Sequence, residues 1–413
     1  MPPGRFAVLR GLLALAFALI LIALGCGGDD AASVRSLTIV VNAPFSKTPY
    51  VGETIAHGVE LAAAVAGPID TKDGTVELRV RRLDNALSPR RAIANVRRAV
   101  ADDAVAIVDE GTGVDGSWTI ANDARIPIGV TYQGGMGLVD VDRRPNVFRI
   151  APTDRGIAFR LAEYLIPKRL RIAILTDDSA YGDEGRAALA QSFGSNPEAV
   201  AIQLRLPADA PDLSPQVLRA RRAGATALLV WARPTTIANV LTAARSRRWS
   251  VPVYAPPTGA DPLVRQQLAD QPQWVDGLTF ASGRMTAELG PQAWQTFEAQ
   301  FVNRYGPDAI GVKTSEGLDV LQPPEYAMYA YDFVNVLAEA LRQAGTDDRG
   351  ALLDALNEVT VRGANGDERG FNLHNHEGVV DDDVYFARFD DMTFAPVKDD
   401  PLSSTLPVID QTR

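Results

Sequence analysis

Residues 109–117 read Asp109-Glu110-Gly111-Thr112-Gly113-Val114-Asp115-Gly116-Ser117. Glycines ahead of a helical stretch let backbone N–H groups turn toward a ligand, and a helix N-terminus favours an anion there. Asp109 and Glu110 suit such a site poorly: either they point away or they meet a cationic group. Ser117 also fits a plain helix cap. Arg233, after the run Leu228–Trp231, could grip a carboxylate bidentately or stand as a solvated surface arginine. Asp177-Asp178 would need a second acid facing across a cleft to act in carboxylate catalysis. His374 and His376 fall on one face of a strand, but two histidines alone define no metal site. Neither a Gly-x-Ser-x-Gly elbow nor a Gly-x-x-x-x-Gly-Lys-Ser/Thr loop occurs. Binding without catalysis, metal or cofactor is therefore the expectation.

The 413 residues are 46% hydrophobic and 22% charged, which excludes a wholly disordered chain. The length suits about two or three domain-sized units. With 51 acidic and 41 basic residues the net charge is −10, so a basic nucleic-acid footprint is not expected. Cys26 is the only cysteine, which rules out an intrachain disulfide or a multi-cysteine metal site.

Arg5 and Arg10 precede the uncharged run Gly11–Gly25, 15 residues long. A membrane-spanning helix needs about 20 apolar residues and a signal-peptide core about 7–15. Residues 1–25 therefore read as a signal peptide. Ile22-Ala23-Leu24-Gly25-Cys26 resembles a bacterial lipobox, with Ala23 where leucine is usual, and the resemblance implies that Cys26 carries lipid. The small, polar residues 26–36 suit a tether. Loss of residues 1–25 removes two arginines and no acids and leaves a charge of −12. So acidic a chain would depend on its acyl groups to hold the membrane.

From Ser36 onward strands and helices alternate. Strands are expected at Leu37–Val41, Thr75–Leu83, Val105–Val108 and Ile126–Val130, with helices at Val51–Ala66, Ser88–Ala101 and Asp115–Ala124. A second series places strands at Arg171–Leu175, Val200–Leu204, Thr226–Trp231, Val251–Tyr254 and Gly277–Phe280. Its helices are Thr153–Leu165, Asp183–Phe193, Leu213–Arg222 and Thr235–Arg245. Helices Pro291–Arg304, Asp319–Ala344 and Arg349–Val359 follow, then a hairpin-like segment, Arg369–Phe389. This is an α/β pattern of two similar lobes, each a parallel sheet sandwiched by helices. Ligands of such sheets bind at the carboxyl ends of strands. That points to loops 42–50, 109–117, 131–137 and 176–183, faced by 231–235 and 255–261.

Ala43-Pro44-Phe45-Ser46 with Gly52 and Gly58, Leu83-Asp84-Asn85, and Asn146 through Pro152 occur in an order that resembles the type I periplasmic solute-binding proteins. Asp177-Asp178-Ser179-Ala180-Tyr181-Gly182, Asp212 through Pro215, and Tyr331-Asp332 continue the likeness over most of residues 37–390. The branch is the leucine/isoleucine/valine binders of ABC transporters. The resemblance implies lobe 1 from 37–150 plus 283–360 and lobe 2 from 151–282 plus 361–413, joined by three hinge crossings near 150, 282 and 360. It implies capture of an amino acid or related small carboxylate by hinge closure and delivery to a membrane ABC permease. A sensory module signalling to a membrane receptor uses the same fold and is the alternative.

By the same resemblance Thr112, with Gly113, would hold a ligand carboxylate, and Ser117 is the second choice. Tyr132 and Gln133 occupy the next contact loop, Tyr181 would stack on the ligand, and Trp231 and Arg233 would face it from lobe 2. One position departs from the family. Where an acid often receives the ligand ammonium, this chain has Pro257. Asp261, nearby, reads either as a substitute for that acid or as the cap of a helix starting at Pro262, and the departure opens the site to a carboxylate without an ammonium, or to an amide.

Overall fold

The computed structural model describes residues 34–284, 291–306, 325–380, 383–390, 393–403 and 409–410. Cys26, the leader, most of the tether and the expected helix start at Asp319 lie outside the described residues.

β1 (Arg35–Ala43) is central in the first sheet because Ile39, Val40 and Val41 are apolar and buried on both faces. β3 (Gly74–Asp84) and β4 (Ala106–Asp109) flank it in parallel. β5 (Ile128–Val130) and β6 (Val147–Arg149) continue in parallel, and β2 (Ile69–Thr71) pairs antiparallel with β3 at the other edge. The spatial order is β2-β3-β1-β4-β5-β6. The connecting helices are α1 (Pro49–Ala66), α2 (Pro89–Ala101) and α3 (Val114–Asp123). Ser88 caps α2 by accepting from Arg91 N at 3.4 Å, and Pro89 fills the first helical position.

The chain crosses to lobe 2 through Ile150–Thr153 and enters α4 (Asp154–Leu165). β7 (Ile172–Asp177), α5 (Ala180–Phe193) and β8 (Val200–Leu206) follow. Next come α6 (Ser214–Arg222), β9 (Ala227–Trp231), α7 (Pro234–Arg245), β10 (Val253–Ala255), α8 (Pro262–Gln267) and β11 (Leu278–Gly283). β8, β7, β9, β10 and β11 are parallel in that spatial order. α5 starts three residues before the expected Asp183, because Ser179 accepts from Gly182 N at 3.1 Å and fixes the entry. Ile174, Leu229 and Trp231 pack on one face of the sheet, and Leu175, Leu228 and Val230 on the other.

α9 (Gln292–Tyr305) and α10 (Glu325–Ala344) return to pack on α1, and α11 (Arg349–Leu356) packs on α10. Gly58 permits the α1–α10 contact: a Cβ there would lie 2.2 Å from the Ala327 carbonyl oxygen.

The expected single hairpin over Arg369–Phe389 is corrected. Arg369 belongs to a small hairpin of β12 (Thr360–Arg362) and β13 (Glu368–Gly370) beside α10. β14 (Val384–Asp390) instead adds antiparallel to β11, followed by β15 (Thr393–Pro396) and β16 (Ile409–Asp410). Buried Val384 and Phe386 fill the second core, and Arg369 is pinned between Asp332 and Asp383, both at 3.2 Å. Two mostly parallel, helix-flanked lobes thus carry antiparallel strands at their edges. The chain passes between them after β6, after β11 and between β13 and β14. Beside these passages, His376 bridges Val147 O at 3.0 Å and Asn357 Oδ1 at 2.9 Å, while His374 is exposed. The two histidines do not share a face.

Candidate functional site

β4 delivers Asp109 to the edge of lobe 1. Its carboxylate is buried and accepts from Asn42 Nδ2 and Gly111 N, each at 2.7 Å. Glu110, also buried, accepts from Asn85 Nδ2 at 3.0 Å, Thr112 N at 3.1 Å and Gln133 Nε2 at 3.0 Å. Of the two alternatives for this acid pair, the structure has both turned inward. Burial first, then the charge of Glu110, pushes Asp109 up to about 8. Burial also raises Glu110 against its hydrogen bonds. Thr112 Oγ1 accepts from Gln133 Nε2 at 3.2 Å, so these two residues form one unit. Gly111 (φ +124°) makes room for that unit, since a Cβ would lie 2.5 Å from Gln133 Cβ. Gly113 stands immediately before α3 with φ of 85°. Ser117 is placed differently from both expectations: it is fully buried inside α3 and donates to Gly113 O at 2.9 Å. It is neither the cap nor a cleft hydroxyl.

The second loop reaches across to lobe 2. Half-buried Tyr132 lies 5.1 Å, ring to ring, from Tyr326, which meets Tyr50 at 6.3 Å. Gly134 O accepts from Asp154 N at 2.8 Å. Gly135 faces α5: a Cβ on it would lie 2.9 Å from Glu184 Oε2. Arg149 Nη1 donates to Gly135 O at 2.9 Å and to Gln133 O at 3.3 Å.

On lobe 2, Tyr181 occupies the first turn of α5, with Thr258 acting on its hydroxyl. Burial first and the charge of Asp154 second hold its hydroxyl well above the usual tyrosine range, and Tyr132 acts on it from lobe 1. Trp231, expected to face the ligand, is fully buried beneath α5. Its Cδ1 would be 2.2 Å from a Cβ on Gly185, and its ring centroid is 5.8 Å from that of Tyr181. It supports Tyr181 from below. Arg233 sits partly exposed; its N donates to Asp177 Oδ2 at 2.8 Å, and its guanidinium lies 3.5 Å from the same oxygen and 3.4 Å from Asp209. Asp261 caps α8, accepting from Leu263 N at 2.9 Å, while Pro257 opens a short 3-10 turn.

Two residues that the sequence reading passed over stand between the lobes. Asp154 is buried at the first position of α4, and its Oδ2 has no hydrogen-bond partner among the described residues. Burial, then Glu184, pushes its carboxyl up to about 7, and Arg149 opposes this. Arg265, buried in α8, lies 4.3 Å from the Phe389 ring centroid and interacts electrostatically with Tyr50 of lobe 1. Burial pulls its guanidinium down to about 9. Asp154 was masked by its sequence position, because Thr153-Asp154 is also what an ordinary helix start looks like.

Two mostly parallel sheets, three connections and facing residues at the strand carboxyl ends define a hinged two-lobe binder. Residues 39–393 match the family model for periplasmic binding proteins, and the chain belongs to that family. Members of this family bind solutes outside the cytoplasm and are not enzymes. A type 1 periplasmic binding protein from Bordetella pertussis Tohama I superposes with a TM-score of 0.72 at 21% identity, covering 86% of this chain and 97% of that one. A leucine-binding protein from Thermotoga maritima MSB8 gives 0.71 at 17%, covering 91% and 99%. An ABC-transporter solute-binding protein from Rhodopseudomonas palustris BisB5, in complex with 3,4-dihydroxybenzoic acid, gives 0.68 at 16%, covering 92% and 98%. These likenesses concern the fold. No curated protein matches the sequence at a significant level. Among the described residues no helix is long and apolar enough to cross a membrane.

Proposed function

We propose that this chain is the lipid-anchored solute-binding component of an ABC uptake transporter, carrying an amino acid or related small carboxylate to its permease. The observation that carries the ligand class is the buried Oδ2 of Asp154, unpartnered among the described residues, beside the cross-lobe pair Tyr132 and Tyr181. An oxygen so buried is costly unless a donor reaches it. A ligand ammonium supplies that donor, so Asp154 takes the part that Pro257 cannot play.

Thr112, Gly113 and Gln133 hold the ligand from lobe 1, with Tyr132 and Tyr181 packing on its body. Arg233 draws its carboxylate toward the mouth. The aromatic walls suit an apolar or aromatic body, in keeping with the dihydroxybenzoate held by the Rhodopseudomonas palustris protein. The ligand favours closure because only the closed form presents both lobes to it, and this differential affinity drives the shift. Cys26, once lipidated, keeps the protein at the membrane beside its permease.

Deleting the gene abolishes uptake of one small solute, and the intact gene restores it. A Cys26→Ser version leaves the membrane fraction and does not restore it. Unchanged uptake across a broad panel of amino acids and aromatic carboxylates contradicts the transport reading, and a neighbouring receptor kinase with no permease gene would turn it to sensing.

A further inference from the structure

We propose that the far pole of lobe 2 carries a second binding site, separate from the cleft, which takes a small planar organic anion such as an aryl carboxylate. A groove of about 900 Å³ opens there, within the usual size of small-molecule pockets, about 300–1,000 Å³. It lies at the amino ends of β10 and β11, where Val251, Pro252 and Gly277 line it. The cleft residues stand at the opposite, carboxyl ends of the strands.

The charge of the groove runs against that of the chain. Among the described residues that line it are Arg245, Arg248, Arg388 and Lys398, with Asp276 and Asp399 as the acids, whereas the whole chain carries −10. Asp399 is already engaged: it accepts from Tyr164 Oη at 2.9 Å and pairs with Lys168, which stands outside the groove lining. Arg245 is fixed by donating to Trp249 O at 3.0 Å and Val251 O at 2.9 Å. The described lining therefore keeps a positive surplus on a rigid frame, and a concave wall of one sign concentrates ions of the other.

The shape argues for a flat ligand. Buried Tyr254 forms the floor, meeting Tyr164 edge-on at 6.1 Å, and half-buried Trp274 faces the same space. Aromatic faces take a planar ring, and guanidinium forks take a carboxylate. This site stands or falls independently of the cleft.

The test uses 4-bromobenzoate with the purified full chain. Bromine located by anomalous scattering in soaked crystals is expected between Trp274 and Tyr254. Calorimetric affinity is expected to drop at least about tenfold in Arg248→Glu and Lys398→Glu. Both side chains are exposed, so the variants are expected to fold and to keep the cleft ligand. Cyclohexanecarboxylate is expected to bind more weakly than the flat probe. Bromine in the cleft alone, no saturable binding, or wild-type affinity in both charge-reversed variants overturns the proposal. Equal affinity for the non-planar acid overturns its aromatic part.

Discussion

Arg149 and Glu377 are joined by two hydrogen bonds, Nε to Oε2 at 2.7 Å and Nη2 to Oε1 at 2.5 Å, although 228 positions separate them in sequence. The pair ties the first connection between the lobes to the third. Arg149 also holds the carbonyls of Gln133 and Gly135, so the hinge and the lobe 1 contact loop share one guanidinium. Arg149→Met removes that tie and takes the guanidinium donor from the Gln133 and Gly135 carbonyls, the latter keeping only the Leu138 N–H at 3.4 Å. Breaking a largely buried pair costs about 3–5 kcal/mol. We expect urea denaturation to show a loss near the low end of that range, because Glu377 is partly exposed. Glu377→Gln keeps a polar partner and loses less. Equal stability of Arg149→Met and wild type would show that the pair does not hold the hinge.

Asp154 gives a pH dependence with a definite sign. Its folded carboxyl is pushed up to about 7, against about 3.9 in an unfolded chain. Between these values the folded state holds a proton that the unfolded chain has released, so its share of stability falls as pH rises from about 4 to 7. Ligand-free Asp154→Asn is therefore more stable than wild type at pH 8, and the gap narrows toward pH 4. Urea melts at both pH values check this; a gap that does not change with pH contradicts it. The same substitution is expected to weaken an amine-bearing ligand and to spare its desamino analogue.

Tyr181→Ala removes a large half-buried ring on the lobe 2 side of the cleft, and ligand binding weakens by about 1–3 kcal/mol. Tyr181→Phe keeps the ring, loses only the hydroxyl, and falls by less. Titration calorimetry returning wild-type affinity for the alanine variant would take Tyr181 out of the site.

Gly185→Ala drives a methyl to within 2.2 Å of the Trp231 ring. Overpacking of this kind costs about 1–3 kcal/mol. The ring that supports Tyr181 must move, so thermal stability and ligand affinity are expected to fall together. A variant that loses stability and keeps full affinity would show that Trp231 does not position Tyr181.

The alternation of apolar runs made both lobes legible, because a parallel strand buried on two faces needs an unbroken run such as Ile39–Val41. Local chemistry also showed through: Ser88-Pro89 and Asp261-Pro262 start helices as their residue types dictate. The tail misled because strand partners far apart in sequence, β11 with β14, leave no local mark. At the site, the proposed contacts Thr112, Gln133 and Tyr181 came from the family resemblance, and neither it nor residue type carries depth. Trp231 and Ser117 have the right chemistry and sit inside the lobe cores, while Asp154 looked like a helix entrance.

The most direct check of a hinged pair of lobes holding one small solute is native mass spectrometry of the full chain purified without denaturation. The account predicts a single adduct of amino-acid size on the wild type, released on unfolding and absent from an Asp154→Asn, Tyr181→Ala double variant that still folds. The same adduct retained by the folded double variant would contradict it.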